Sequence, residues 1–478
     1  MTPPRRLLGF SVTAAIVIAN MIGTGVFTST GFLAQSLHDP ATILIAWIVG
    51  GVLALCGAAA YAELGAMMPQ AGGEYVYLSR AYHPAVGFVS GWVSLTAGFS
   101  APIAASAIAF ATYLATLIPA VGSPVAWLTA SLDIGGHHIF SISFGAQAAV
   151  ASGLIVVVTA LHAFDTRLGG RVQAVFTAAK VLLVVGFIVL GLTVGDGDWH
   201  NLHRQHGGLA NITTPSFAIA LMVVSFAYSG WNAAAYVAGE VHRPERTLPR
   251  SLLAGTGVVM TLYVLLNLVF LYAVPSDTLA APIVEVGDAA ARQLFGARAG
   301  SLVTTVIALA LVSAVSAMVM AGPRVYAAMA ANRALPEPLG RYSRRGVPTI
   351  AVITQGAIGV VFVLVGDLGD LIRFVGFTLA IFAALTVAAV FVLRGRGYRA
   401  PYRTFGYPVT PILFIAASGW IAYAQIKESP RESLVVLGVI AIGGVLYAVF
   451  GRGGPPATGG GPEGLPEARV VGGDSHAP

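Results

Sequence analysis

Long apolar runs, each about as long as a bilayer is thick, alternate with short polar stretches over most of this chain. A helix rises about 1.5 Å per residue, so crossing about 30 Å of hydrocarbon takes roughly 20 mostly apolar residues. Twelve segments meet that requirement, at about 9–33, 41–66, 85–117, 143–163, 169–194, 213–239, 251–274, 299–325, 349–366, 370–393, 409–427 and 431–450. An even number puts both chain ends on one side. The longest gaps between segments, 118–142, 275–298, 67–84 and 326–348, are each too short to build a site of their own.

Composition strengthens that reading. Of 478 residues, 56% are hydrophobic and only 10% charged, with a mean hydropathy of +0.81. Soluble domains carry about a quarter charged residues, so the two or three soluble domains that the length would allow are excluded. The net charge of +6 invites a nucleic-acid partner, but the arginines explain it otherwise. Eighteen of them fall in the N-terminal segment and the alternate loops on its side, against five basic residues in the opposite loops. The positive-inside bias then makes both termini cytoplasmic in a plasma (inner) membrane, with no role left for nucleic acid. The first apolar stretch, Leu7 to Leu33, is too long for a cleavable leader and lacks a small-residue cleavage site. The single cysteine, Cys56, excludes a disulfide framework and a cysteine-based metal site. Nucleotide-binding motifs, a nucleophile elbow and metal-ligand spacing are all missing from the sequence, so neither an enzyme nor a cofactor is expected. The stretch 452–478, rich in Gly and Pro, reads as a disordered cytoplasmic tail.

Two spans are interrupted in matching places. The first contains Ile22-Gly23-Thr24-Gly25-Val26-Phe27, and the sixth contains Phe226-Ala227-Tyr228-Ser229-Gly230-Trp231-Asn232. Glycine tolerates unwinding and lets backbone come close to a ligand. Paired breaks, five helices apart, point to a binding site near the membrane midplane of an inverted-repeat carrier. An unwound segment frees N–H groups at one half-helix N-terminus, which suit an anion, and carbonyls at the other half's C-terminus, which suit an ammonium. A zwitterionic α-amino acid carries both charges. The competing reading of each Gly motif is close helix packing, common in membranes.

The sequence at these points resembles the amino acid–polyamine–organocation (APC) superfamily, near its L-type and bacterial cationic-type branches. The residues that carry the resemblance are Ile22 to Phe27, Tyr61-Ala62-Glu63-Leu64, Pro69 to Leu78 and Gly239 to Arg250, with Gly322 to Met329 and Val172 to Lys180. The resemblance implies an all-α membrane protein of LeuT type. Its first repeat would be about 9–194 and its second about 213–393, with peripheral helices at 409–450, all within one transporter domain, 1–450. It further implies that the substrate carboxylate rests on the amides of Thr24, Gly25 and Val26. The α-ammonium would rest on carbonyls of Met21 or Ile22 and of Phe226, Ala227 or Ser229, with Phe226 also an aromatic gate. The motifs around Glu74, Glu240 and Arg246 resemble inner-gate and loop-packing elements. Where the family has an acidic residue after the eighth span, this chain has Ala330-Ala331-Asn332.

Charge inside the spans narrows the substrate. All twenty acidic residues fall in loops, in the tail or near span ends, which disfavours basic amino acids and polyamines. Lys180 is the exception to an uncharged interior, nine residues past Arg171 and thus roughly 13 Å deeper along the helix. Burial penalises an ammonium, so a lysine held there can load and release a proton near neutral pH. By resemblance it stands where sodium-coupled relatives bind sodium, beside carbonyls near Met21 to Gly23 and a hydroxyl of Ser313 or Ser316. A permanent cation pinning three helices together is the competing role. His162 reads as a local hydrogen-bonding residue, and Tyr228, Trp231 and Asn232 as shaping a side-chain pocket. The sequence therefore predicts a sodium-independent carrier of neutral or small apolar L-amino acids, a proton symporter by alternating access. An obligatory exchanger and a cationic amino acid or polyamine carrier are the alternatives, and a channel or amino acid sensor is the reading from another class.

Overall fold

The structure, a computed structural model, describes residues 8–450 apart from 71, 135–136, 165, 204–207, 282–284 and 344. Inside hydrocarbon every backbone polar group must find its partner within the chain, and apolar runs of this length therefore fold as helices. Ten helical stretches among the described residues are long and apolar enough to cross a membrane: Phe10–Leu37, Pro40–Met67, Pro84–Leu117, Ala146–Phe164, Val175–Thr193, Pro244–Ala273, Val286–Ala331, Leu368–Gly395, Val409–Glu428 and Pro430–Phe450. Pro215–Ala227 and Thr349–Val365 are apolar but shorter, and stand sixth and ninth in chain order. The twelve spans form a LeuT-type all-α membrane fold in which spans one and six are both interrupted. Within an apolar 18-residue stretch of the third span 83% of the residues are buried, against 17% in the twelfth, as a central and a peripheral helix should be.

Polar residues at the junctions fix where spans begin. Asp39 accepts the amide of Thr42 at 2.8 Å and its hydroxyl at 2.5 Å, opening the second span with Pro40 in its first turn. Asp367 and Thr214 cap the tenth and sixth spans in the same way. The seventh span starts 7 residues before the end expected from the apolar pattern, and ahead of the eighth a separate helix beginning at Val286 meets the span across a kink at Gly296, whose φ is +81°. The first turn of the seventh, which includes Glu245, continues the helix beyond the hydrocarbon, where hydropathy carries no signal.

Three elements were not anticipated. Ala126–Ile134 and His137–Gly145 pair as an antiparallel hairpin between the third and fourth spans. A short helix, Glu74–Ala81, precedes the third span, and that span contains a π-helical stretch at Ser94–Ser100. The chain start is also clipped to the loop after the sixth span: Leu8 N–H donates to Glu240 O at 3.0 Å, and His242 N–H donates to Leu8 O at 2.9 Å. The stretch 452–478 and the side chains of Arg167 and Arg171 lie outside the described residues.

Candidate substrate site

The first span stops at Met21, passes through extended Ile22 and Gly23, and resumes at Thr24. The N–H groups at the start of the second half-helix have no carbonyl of their own helix to bond. Thr24 Oγ1 meets Ser106 Oγ of the third span at 2.5 Å, which holds this end in place. The carbonyls released at the end of the first half are already engaged. Tyr263 Oη donates to Met21 O at 2.5 Å, while Lys180 Nζ donates to Ile22 O at 2.7 Å and also to Ala19 O.

The sixth span stops at Ala227 and turns through Gly230, whose φ of +96° only glycine adopts without strain. It forms one further helical turn at Ala233–Tyr236. The two interruptions touch. A Cβ on Gly230 would fall 2.8 Å from the backbone of Asn20, and one on Gly25 would fall 2.3 Å from Ala227 Cα. Both glycines are thus needed for the approach of backbone to backbone.

A cavity of about 60 Å³, room for several water-sized molecules, lies against this turn, lined by Asn20, Ser229, Gly230 and Asn232 and by residues of the π-helical stretch and the tenth span. A second, of about 50 Å³, lies on the other face of the turn, toward the second and eleventh spans. Glu74 lines both. Its Oε1 accepts from Tyr61 Oη at 2.5 Å and Asn232 Nδ2 at 2.9 Å, and Asn232 Nδ2 also reaches Tyr236 Oη at 3.0 Å. Glu74 is only 6% exposed, and burial pushes its carboxyl above the usual carboxylate range despite these two donors. A residue that the sequence places in a loop, within an inner-gate-like motif, therefore brings a carboxyl group to both cavities.

The residues singled out from sequence are distributed as follows. Ser229 lines both cavities. Thr24, Gly25, Val26, Phe226 and Ala227 are buried where the first and sixth spans meet. Lys180, 1% exposed, sits against the unwound end of the first span. Ser313 is fully buried, on the span whose Ala314 comes nearest to Gly23. Ser316 instead hydrogen-bonds His162 Nε2 at 2.8 Å, which joins the eighth span to the fourth.

Among the loop motifs, Arg394 grips Glu63 through two 2.7 Å bonds, Thr404 adds its amide and hydroxyl, and the guanidinium lies 3.8 Å from the Tyr407 ring centre. Glu240 faces Arg324 at 3.4 Å, and Arg246 is exposed. Asn332, standing where the family has an acid, lies beside the Tyr75 hydroxyl. Asn20, Ser94 and Thr378 are cavity residues that the sequence reading missed. Ser94 and Gly98 in mid-span were the available signal for the π-helical stretch, a feature frequent at functional sites.

A family model for amino acid permeases matches residues 8–450. The chain is 29% identical over 422 residues to the serine/threonine exchanger SteT of Bacillus subtilis (strain 168), covering 87% of this chain and 90% of that one. It is 26% identical over 452 residues to the human b(0,+)-type amino acid transporter 1, covering 93% and 88%. It is also 26% identical over 450 residues to the human large neutral amino acids transporter small subunit 2, covering 93% and 80%.

Proposed function

The chain belongs to the amino acid permease family, and on that premise we propose that it is a sodium-independent carrier of small neutral L-amino acids. It is a multi-pass membrane transporter of amino acids, not an enzyme. In this reading it works by alternating access in the plasma membrane with both ends cytoplasmic, which the arginine distribution supports. The substrate carboxylate rests on the amides of Thr24, Gly25 and Val26, and its ammonium on carbonyls of Phe226, Ala227 or Ser229. Met21 and Ile22 remain alternatives only through their second lone pairs, because Tyr263 and Lys180 occupy the first.

Lys180 is the observation that carries the sodium-independent reading. Its ammonium occupies carbonyls of Ala19 and Ile22, oxygens of the kind a sodium ion would need, and brings the positive charge itself. Released from the carbonyls when the first span moves, it can give up a proton, and this is the basis of proton symport. Obligatory exchange is the second reading, favoured by the relative named as an exchanger. In exchange, Lys180 keeps its proton and serves as a fixed cation.

Uptake of labelled L-serine, L-alanine and L-leucine into proteoliposomes decides between them. Proton-driven uptake into empty vesicles, lost in Lys180→Ala, supports symport. Uptake that requires preloaded amino acid and ignores the proton gradient supports exchange. A requirement for sodium overturns both.

A further inference from the structure

The Glu74 carboxylate joins three pieces of chain through one of its two oxygens. Tyr61 from the second span and Asn232 from the turn of the sixth both donate to Oε1. Among the described residues Oε2 has no hydrogen-bond donor, although the side chain is more than nine-tenths buried and lines both cavities. An oxygen that borders a cavity and has no donor from the protein is open to a ligand or to water.

The surroundings determine what that ligand is. No lysine, arginine or histidine lines either cavity. The titratable groups facing Glu74 are hydroxyls: Tyr61 of the second span, Tyr77 of its own helix and Tyr236 of the short helix after the turn. The tenth span contributes Thr378, Leu379 and Phe382, and the π-helical stretch contributes Ser94 and Phe99. A lone carboxylate in such a cavity attracts one positive charge.

We propose that Glu74 is a charge-selecting subsite of the cavity, whose free oxygen takes either a proton or the ammonium at the end of a basic substrate side chain. The proposal rests on the transport reading above and extends its substrate range. With a neutral substrate the carboxyl holds a proton and presents a hydroxyl to the cavity. With a basic amino acid the proton leaves to water and the side-chain ammonium takes its place, so the charge in the cavity is unchanged. Burial raises the proton affinity of Glu74, so the proton competes with the ammonium for the same oxygen.

Lysine and its uncharged analogue norleucine separate this role from a merely structural one. The lysine side chain, with a reference pKa of about 10.4, stays charged throughout the range used. Each is measured as an inhibitor of labelled L-serine uptake by the full chain in proteoliposomes at pH 6 and pH 8. The expected result is that lysine inhibits better at pH 8 than at pH 6, while norleucine changes little. A hydrogen bond to a charged group contributes on the order of ten- to a hundredfold in affinity. In Glu74→Gln the lysine-to-norleucine preference at pH 8 therefore drops by at least about tenfold, however far total uptake falls, and Glu74→Asp retains the pH response.

An unchanged lysine-to-norleucine ratio in Glu74→Gln, or a ratio indifferent to pH in the unaltered protein, overturns the proposal. Equal weakening of both inhibitors also overturns it, because Glu74 would then serve the α-ammonium that every substrate shares. If no labelled amino acid enters through the unaltered protein, the transport reading has failed on its own. Glu74 is then judged by thermal stabilisation of the detergent-solubilised protein, where stabilisation by lysine over norleucine that is lost in Glu74→Gln upholds the subsite.

Discussion

Lys180 Nζ donates to the carbonyl of Ile22 at 2.7 Å, tying the fifth span to the residue at which the first span unwinds. The same ammonium holds Ala19 O, so one charge caps the end of a half-helix whose last carbonyls have no partner within the helix. Lys180→Met keeps most of the stem and leaves both oxygens bare, at a cost of about 1–3 kcal/mol for each buried unsatisfied group. A lower melting temperature in detergent is expected, together with loss of most uptake. Lys180→Arg does not restore function, because a planar guanidinium cannot replace a compact ammonium between two carbonyls.

Gly25→Ala places a methyl group 2.3 Å from Ala227 Cα, inside the contact between the two interrupted spans. Overpacking of this kind costs about 1–3 kcal/mol, and uptake should fall with it. Gly257, on the seventh span, has nothing within 4 Å of its would-be Cβ. Gly257→Ala is expected to be neutral or to stabilise by roughly 0.5–1 kcal/mol. Melting curves of the two variants side by side measure the difference.

Glu63 and Arg394 form a pair in which the carboxylate is 1% exposed and the guanidinium 22%. Removing either partner strands a charge, at a cost of about 3–5 kcal/mol. The Glu240–Arg324 pair is longer and more than a quarter exposed on each side, so its loss should cost no more than about 1 kcal/mol. Double-mutant cycles on both pairs should give coupling several times larger for the first.

Stability should depend on pH through Glu74. Burial raises its carboxyl pKa in the folded protein, so the folded state holds the proton more tightly than the unfolded chain does. Its contribution is therefore fully present below the unfolded value of about 4.3 and is lost as pH rises through the folded one. The melting temperature of the unaltered protein should decline as pH rises above the unfolded value, and Glu74→Gln should flatten that decline.

Span number and order could be read directly from the apolar pattern, because each crossing needs a contiguous run of fixed length. Span ends were less legible. Pro244 begins its helix outside hydrocarbon, where a polar first turn erases the hydropathy signal, and the Gly296 kink sets a separate helix ahead of the eighth span. The breaks at Gly23 and Gly230 were visible because glycine marks them. Which face of each span turns inward was not, and Asn20 and Thr378 entered the cavity unannounced. The cavity-facing position of Glu74 was hidden for the same reason. Sequence places it in a loop, while its neighbours Tyr61 and Asn232 are brought to it only by tertiary packing. The hairpin at 126–145 carried a Gly-Gly between two β-prone runs, a signal that a search for spans passes over.

The backbone clip between Leu8 and the Glu240–His242 loop has a mechanical consequence. It joins the segment entering the first span to the segment leaving the sixth, and Asn20 against Gly230 joins the same two pieces deeper in. Fastened at both ends, the near halves of the two broken helices form a single lever with two handles. If the two halves move in transport, they are expected to swing together, as one door and not two.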